Sequence, residues 1–194
     1  MKVRSRILLT VIVLIVLAAG CRAGETYKID SARSTISFGI RHFVGTAKGK
    51  FMRFSGTVDL DRDHPERSAV EANIQVDSID TGIRKRDDHL RSAEFFNVEK
   101  FPQIVFKSRT VTRRGRESGE IIGDLTMRGV TRPVTLQVKL LSPLAESGPL
   151  RWEVTTAPLR RRDFGLVFSP GTEAISGIGR EISIKMQIET VKAR

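Results

Sequence analysis

The chain has 194 residues and carries 33 Lys or Arg against 22 Asp or Glu, a formal net charge of +11 at pH 7. One cysteine excludes an intrachain disulfide, and one Trp, one Tyr and no interleaving of surface aromatics with basic residues argue against nucleic-acid binding. The length predicts a single domain, and the basic surplus would favour contact with anionic lipid head groups or other polyanions.

The N-terminus has the features of an export signal. Basic residues among the first six positions precede residues 7–17, which are almost wholly apolar. That segment is too short to span a bilayer, for which about 20 apolar residues are needed. We therefore expect an exported protein in which residues 1–20 are the signal peptide and residues 21–25 a tether.

Small residues precede the only cysteine, in the order Ala18-Ala19-Gly20-Cys21, and this order resembles a bacterial lipobox. The pattern prefers Leu three residues before the cysteine, where this chain has Ala18, with Leu17 one residue further back. We expect Cys21 to be lipid-modified and to hold the protein at a membrane on the periplasmic side of the bacterial envelope. An ordinary secretory signal cut after Ala23, which would discard Cys21, stays open as the alternative.

Three segments before residue 80 alternate between apolar and polar side chains. Because successive side chains on a strand point to opposite faces, each of these segments has one dry and one wet face. The predicted strands are residues 35–42, 52–60 and 70–77.

The chain then changes from strand to helix periodicity. Residues 80–82, Asp-Thr-Gly, are turn and capping residues, since short oxygen-bearing side chains accept hydrogen bonds from free helix amides. A mostly apolar helical stripe follows, formed by Ile83, Asp87, Leu90 and Ala93. Phe95 and Phe96 end the helix. We expect one short helix that closes a barrel as a lid.

Five further alternating segments follow the helix, and Gly- and Pro-containing turns separate them. They are residues 104–111, 121–128, 134–140, 151–156 and 181–188. Wet outer faces favour antiparallel strands, and about eight strands is the number in a small barrel. The predicted fold class is all-β, an eight-stranded antiparallel barrel with one short lid helix, formed by residues 26–194.

Motifs along most of this domain resemble the YceI family. They include Tyr27-Lys28-Ile29-Asp30, Asp80-Thr81-Gly82, His89-Leu90-Arg91-Ser92, Phe95-Phe96, Gly123-Asp124-Leu125-Thr126 and Arg162-Asp163-Phe164-Gly165. Each motif is weak alone, but their order and spacing make a chance similarity improbable. The resemblance implies a lipocalin-like barrel that takes a long isoprenoid chain into its lumen, in the bacterial periplasm. It implies no agreed enzymatic reaction.

Apolar residues of the predicted strands are candidates for the inner face: Ile36, Phe38, Ile40, Met52, Phe54, Phe106, Leu125 and Met127. Such rows either fill a core or line a tunnel, and without further evidence a filled core is the better interpretation. The family resemblance reverses that preference and makes them ligand contacts. Phe95 and Phe96 are expected to close the barrel and Phe164 to point inward from a strand-end corner, each with a ligand contact.

His42 is the main polar candidate, because its parity places it on the apolar face with Phe38 and Ile40. It would either bind the ligand's polar end or hydrogen-bond inside the protein, and the sequence leaves both open. Arg86, Asp87 and Arg91 would orient a head group or hold the lid by ion pairs. The three histidines have no metal-site spacing, so no metal site is predicted.

No nucleophile elbow, phosphate-binding glycine loop or zinc-protease histidine pair is present, and no catalytic residue is assigned. We therefore expect a lipid-binding protein, not an enzyme, that sequesters or carries a polyisoprenoid or isoprenoid quinone and requires no cofactor. The alternatives are an enzyme or redox partner acting on a bound quinone, and a structural envelope module with a filled core. The sequence does not specify an oligomeric state.

Overall fold

The computed structural model describes residues 24–142, 148–168, 171 and 177–193. The predicted signal peptide and Cys21 lie outside these residues. Within them, no helix is long and apolar enough to cross a membrane.

Strands dominate the described chain, and a single α-helix interrupts them. The strands are β1 (Glu25–Ile29), β2 (Thr35–His42), β3 (Gly45–Phe51), β4 (Phe54–Leu60), β5 (Ala69–Gln75), β6 (Ile79–Asp80), β7 (Gln103–Arg113), β8 (Ser118–Met127), β9 (Val130–Leu140), β10 (Leu150–Thr156), β11 (Leu159–Arg160) and β12 (Glu181–Lys192). The helix, α1, is Arg84–Arg91, and short 3-10 turns occupy Pro65–Arg67, Val76–Ser78 and Arg161–Phe164.

The sheet closes into a ring through β12. Its first half pairs antiparallel with β2 and its last residues pair with β1, so β1 and β2 act as two halves of one bent strand. In the same way β3 pairs with β2 and β4 pairs with β1. From β4 the order runs through β5, β7, β8, β9 and β10 back to β12. The predicted eight-stranded antiparallel barrel with one helix is confirmed.

The prediction was wrong about Met52, which we expected on the inner face. The chain bends between β3 and β4, and the amides of Met52 and Arg53 donate to the carbonyl and hydroxyl of Ser78, at 3.1 and 3.0 Å. Because this bend interrupts the alternation, Phe51 and Phe54 are buried on either side of it while Met52 is 53% exposed.

The helix also differs from its prediction. Its N-cap residue is Ile83, which makes no side-chain capping bond, and Asp80 instead accepts the Gly82 amide at 2.9 Å. Asp87 and Leu90 are buried as expected, but Ile83 is exposed and Ala93 lies beyond the helix end. The helix is therefore anchored by its buried residues Asp87 and Leu90, and the preceding turn does not cap it.

The core lies inside the barrel. Its largest cluster of buried apolar residues draws on the strand faces and on Leu90, Phe95 and Phe96 below the helix. A smaller cluster around Tyr27, Leu140 and Leu150 occupies the other end, where Val58, Leu60 and Trp152 pack against it. The barrel thus has two different ends, one covered by α1 and one formed by strand ends and loops.

Candidate functional site

A cavity of about 860 Å³ occupies the barrel interior. Cavities of roughly 300–1,000 Å³ are the size that holds small ligands in proteins. The middle of its wall is aliphatic and aromatic, contributed by strands around the ring, and includes Ile36, Phe106, Leu125, Val134, Val154 and Met186. An apolar wall of this kind can bury a hydrocarbon chain but offers it no directional contact.

A chain of aromatic rings closes the helix end of the cavity. Ring centroids lie 5.5 Å apart for Phe38 and Phe51, 6.4 Å for Phe51 and Phe96, and 5.1 Å for Phe96 and Phe95. Phe168 extends the chain at 4.6 Å from Phe95. Offset and edge-on rings at these separations attract one another beyond their area of burial. The helix end is therefore covered by packed rings.

Polar bonds fix α1 over these rings. The buried carboxylate of Asp87 accepts bonds from the amide and the hydroxyl of Thr81, and Arg86 donates to the same hydroxyl at 2.8 Å. Arg91 donates to the carbonyls of Asp77 and Ile79, at 2.8 and 2.7 Å. Arg86, Asp87 and Arg91 thus hold the helix through hydrogen bonds to Thr81 and to backbone carbonyls, and a head-group contact by Arg86, which also lines the cavity, stays a prediction.

Two polar side chains at the helix end line the cavity without partners. His42 is the last residue of β2 and Lys48 lies on β3, and both border the cavity. Within the described part of the chain, neither side chain makes a hydrogen bond or an ion pair. His89 borders the same region but its ring stacks on Phe168, with centroids 5.9 Å apart. His42 can therefore hydrogen-bond to a ligand's polar end, whereas Lys48 is an exposed cation at the mouth of the cavity, on the outer face of β3.

The opposite end of the cavity is bordered by several polar residues, and one of them, Arg62, already has partners. Arg62 donates to the Glu25 carboxylate at 2.9 Å and to the Tyr27 hydroxyl at 2.7 Å. Lys192 also donates to Glu25, at 2.9 Å. The hydrogen bond from Lys192, together with those from Tyr27 and Arg62, lowers the pKa of Glu25 from 4.5 to about 2. Arg62 therefore belongs to an ion-pair network, whereas Arg116 and Glu117 on the same border are exposed and make no ion pair within the described chain.

The structure brings most of the predicted ligand residues together around one cavity. Those that line it are Phe38, Ile40, His42, Phe95, Phe96, Phe106, Leu125 and Met127. Phe54 and Phe164 are buried in the adjoining core cluster but are not part of the cavity wall. Ligand contact by any of these residues stays a prediction.

Several wall residues were not proposed from the sequence. The inner face of β12 contributes Ile182, Ile184 and Met186, although its alternation had been recognised. Phe168 lies in an irregular segment, so no periodicity marks it. Its closing role depends on contacts with α1 and with the cation of the buried Arg161, 5.2 Å from its ring, which only the folded chain brings together.

Among the described residues, no cluster of three or more His, Cys, Asp or Glu side chains could hold a metal ion. The cavity wall between the two polar ends is apolar. The arrangement that the geometry does provide is a container with a hydrophobic interior, polar residues at both ends and an unpaired, half-buried imidazole at the helix end.

The fold and cavity define a class of protein: a small closed antiparallel β-barrel of lipocalin-like type with an apolar interior. A family model described as YceI-like domain matches residues 27–190, so the chain belongs to the YceI family. Protein YceI of Salmonella arizonae is 42% identical over 125 residues. That alignment covers 63% of this chain and 65% of the relative, which is less than two thirds of its length.

Solved structures share the fold at lower sequence identity. BcnA of Burkholderia cenocepacia superposes with a TM-score of 0.74 at 23% identity, covering 83% of this chain and 98% of that one. A polyisoprenoid binding domain from Saccharophagus degradans gives a TM-score of 0.66 at 17% identity, covering 86% and 98%. At these identities the likeness establishes the barrel architecture alone.

Proposed function

We propose that the barrel binds a long isoprenoid chain, of a polyprenyl lipid or an isoprenoid quinone, in its central cavity. The observation that carries this proposal is the cavity of about 860 Å³ with an aliphatic and aromatic wall, enclosed in a ring of strands. Membership of the YceI family supports it, as does the similar fold of a protein described as a polyisoprenoid binding domain.

The energetics permit such binding. Burying on the order of 400 Å² of isoprenoid surface, at about 25 cal/mol per Å², would contribute roughly 10 kcal/mol before ordering costs are subtracted. The tail therefore needs no polar contact. The apolar wall of the cavity would provide the affinity for prenyl lipids as a class. The few polar side chains at its ends would discriminate between head groups.

The head group is expected at the helix end. His42 is half-buried and unpaired there within the described chain, and Lys48 adds an exposed cation. At the other end Arg62 already donates to Glu25 and Tyr27, and Arg116 and Glu117 are exposed to water. A half-buried donor without a partner gains free energy from an acceptor such as a quinone carbonyl or a phosphate oxygen. The lipid would thus lie with its tail pointing toward the Glu25 end.

The function that follows is sequestration or carriage of a prenyl lipid by an exported protein. We propose that Cys21, outside the described residues, is lipid-modified and tethers the barrel to a membrane. Cys21→Ser should move the protein from the membrane fraction to the soluble fraction. Unchanged membrane association together with an unmodified wild-type N-terminus would contradict the tether.

Mass spectrometry of an organic extract tests the binding function. Protein purified from its native host should release a prenyl lipid into the extract. An extract that contains no lipid would instead support a structural module. A bound quinone that changes chemically during incubation would support the enzyme alternative.

A pair of adjacent residues provides matched variants for this experiment. Ile121 faces the cavity, while its neighbour Ile122 on β8 is exposed. Ile121→Trp adds volume inside a cavity that has room for it, so the barrel should fold but recover several-fold less lipid. Ile122→Trp should recover the wild-type amount. Equal recovery from both variants would place the ligand outside the barrel.

A further inference from the structure

Large apolar side chains are exposed on the rim of the helix end. The β2–β3 hairpin turns at Phe43 and Val44, since His42 pairs with Gly45, and these two residues are 76% and 93% exposed. Scattered exposed apolar residues are ordinary, but two adjacent ones at the tip of a projecting hairpin are typical of an interaction site.

Two more exposed apolar residues belong to the same rim. Lys50 on β3 pairs with Asp80 on β6, and from Asp80 the chain continues antiparallel to β3, on the side from which the hairpin projects, to Ile83 at the start of α1. An added Cβ at Gly49 would lie 2.9 Å from the Thr81 Cγ2 atom, so the two segments touch.

Val167 belongs to the segment that packs on α1. It precedes Phe168, whose ring stacks on His89 of the helix. Ile83 and Val167 are 52% and 45% exposed. Exposed apolar side chains therefore occur both at the start of the helix and on the segment packed against it.

The hairpin is held in place and not free to fold back. The amide of Gly179 donates to the carbonyl of Arg41 at 2.7 Å, and the Phe43 ring lies so close to Gly177 that an added Cβ would be 2.4 Å from it. The residue after Gly179 is Arg180, whose carbonyl accepts the Arg161 amide. These contacts fix the hairpin tip in an outward position.

Basic side chains surround these apolar residues. Arg41, Lys48, Lys85 and Arg180 are exposed beside the hairpin and the start of α1. Acidic residues of the same end are largely paired or neighboured by cations: Asp88 bonds Arg84 and Arg91 at 3.9 and 3.2 Å, and Glu181 follows Arg180. The rim therefore presents apolar side chains inside a net basic surround.

We propose that this rim, defined by Phe43, Val44, Ile83 and Val167 with the four basic residues named above, docks on a lipid bilayer that contains anionic head groups. Apolar side chains that enter the interface, together with Lys and Arg near anionic lipids, are the combination that holds surface-bound proteins on membranes. Phe43 and Val44 would enter the interface between head groups and acyl chains.

The choice of a bilayer as the partner rests on the proposed function. The rim surrounds the cavity end where His42 and Lys48 lie, so docking would place the apolar interior against the source of a prenyl lipid. The lipid could then pass between bilayer and barrel with little exposure of its tail to water, which is the costly step for a hydrocarbon.

Spin labelling of the full-length protein tests the docking without any bound ligand. A nitroxide on Val44→Cys is compared with one on Ile122→Cys, which lies on the barrel wall. The wild-type chain, taken through the same labelling, reports any signal from Cys21. Accessibility to oxygen and to a water-soluble nickel complex is measured with vesicles of phosphatidylcholine, alone or mixed equally with phosphatidylglycerol.

With phosphatidylglycerol vesicles, the label at position 44 should become several-fold less accessible to nickel and more accessible to oxygen. The label at position 122 should stay in water, and phosphatidylcholine alone should produce a much smaller change. A label at position 44 that stays as accessible to nickel as the one at 122 would overturn the proposal, even if the protein sediments with anionic vesicles.

A second measurement separates docking from lipid binding. The double variant Phe43→Ser/Val44→Ser should take up prenyl lipid from vesicles several-fold more slowly, but from detergent micelles at the wild-type rate. Equal uptake from vesicles by the variant and the wild type would overturn a role in transfer. If the label inserts and no prenyl lipid is ever recovered, the docking surface stands and the proposed function fails.

Discussion

At the scale of single residues, the half-buried polar groups decide how a ligand would be oriented. His42 shares its strand face with Phe38 and Ile40 and borders the cavity, yet it has no hydrogen-bond partner among the described residues. The imidazole is only half-buried, so water satisfies it when no ligand is bound. A ligand's polar atom that replaced this water would make the same hydrogen bond inside the apolar wall.

The substitution His42→Leu tests this role, because Leu keeps apolar volume and removes both ring nitrogens. Binding of a quinone or another prenyl compound with a polar head should weaken by about 1–3 kcal/mol. A plain hydrocarbon of equal length should lose much less. His64→Leu is the control, since His64 is exposed and lies in a loop. Equal losses for both ligands would make His42 a packing residue only.

At the scale of elements, alternation in the sequence predicted at least one segment of each of the eight strand positions around the barrel. The eight predicted segments correspond to β2, β4, β5, β7, β8, β9, β10 and β12. Their apolar faces are large enough to show a period of two against polar outer faces. The family was also predicted correctly, from the order of its motifs.

Strand β3 was missed because its inner face has small residues. Gly45, Ala47 and Gly49 alternate with polar residues, so hydrophobicity shows no period. The reason is steric: the Phe38 ring lies over Gly49, where an added Cβ would be 2.4 Å from its Cζ atom. The large Phe38 side chain on β2 thus requires small residues on the neighbouring strand β3, and small residues leave no hydrophobic periodicity in its sequence.

Strand β7 shows a second departure from simple alternation. Its register with β8 shifts between Ser108 and Thr110, which leaves Arg109 as an extra residue. A bulge of this kind bends the strand and changes the parity beyond it. As a result Val111 packs on the same core as Ile104 and Phe106, at a position where strict alternation would place it outside.

Beside this bulge, Gly123 of β8 is predicted to be intolerant of a side chain. An added Cβ would lie 2.5 Å from both the Phe106 Cζ atom and the Lys107 carbonyl oxygen, and the backbone atom cannot move aside cheaply. We expect Gly123→Ala to lower the free energy of unfolding by about 1–3 kcal/mol in urea denaturation.

Gly39→Ala is the matched control for this prediction. Gly39 also lies within a strand, but the atoms nearest to an added Cβ would be side-chain atoms of Ser183 and Thr46, at 3.1 and 3.2 Å, and the nearest backbone atom, the Ala47 carbonyl oxygen, would be at an ordinary contact distance of 4.0 Å. Its effect on stability should be clearly smaller. If both variants lose the same free energy of unfolding, the loss is caused by replacing glycine with alanine in a strand and not by a clash with Phe106.

At the scale of the whole molecule, the barrel depends on the seam where β1 meets β12 and β4. Glu25 begins β1, Lys192 ends β12, and Arg62 follows β4. The Glu25 carboxylate accepts hydrogen bonds from both cations and from Tyr27, whose side chain is buried. One carboxylate therefore joins three segments that are far apart in the sequence. Sequence alone could not show this, because it marks charges but not which ones meet.

This seam should make stability depend on acid pH. The folded-state pKa of Glu25 is about 2, against an ordinary value of 4.5, chiefly because Lys192 donates a hydrogen bond to the carboxylate. Because the folded pKa is depressed, the stabilisation is complete above the unfolded pKa and is lost as the pH falls from about 4.5 to about 2.

Glu25→Gln should therefore destabilise the barrel at pH 7 by about 1 kcal/mol, the upper range for a partly exposed ion pair. The difference from wild type should shrink as the pH approaches 2, because protonation then removes the same charge from the wild-type protein. Urea denaturation between pH 7 and pH 2 measures it. Glu153→Gln is the comparison: the hydrogen bond from Lys185, at 2.7 Å, also lowers the pKa of Glu153, but it joins only the adjacent strands β10 and β12, so its loss at pH 7 should be smaller. A Glu25→Gln difference that stays constant with pH would show that the carboxylate acts through its shape and not its charge.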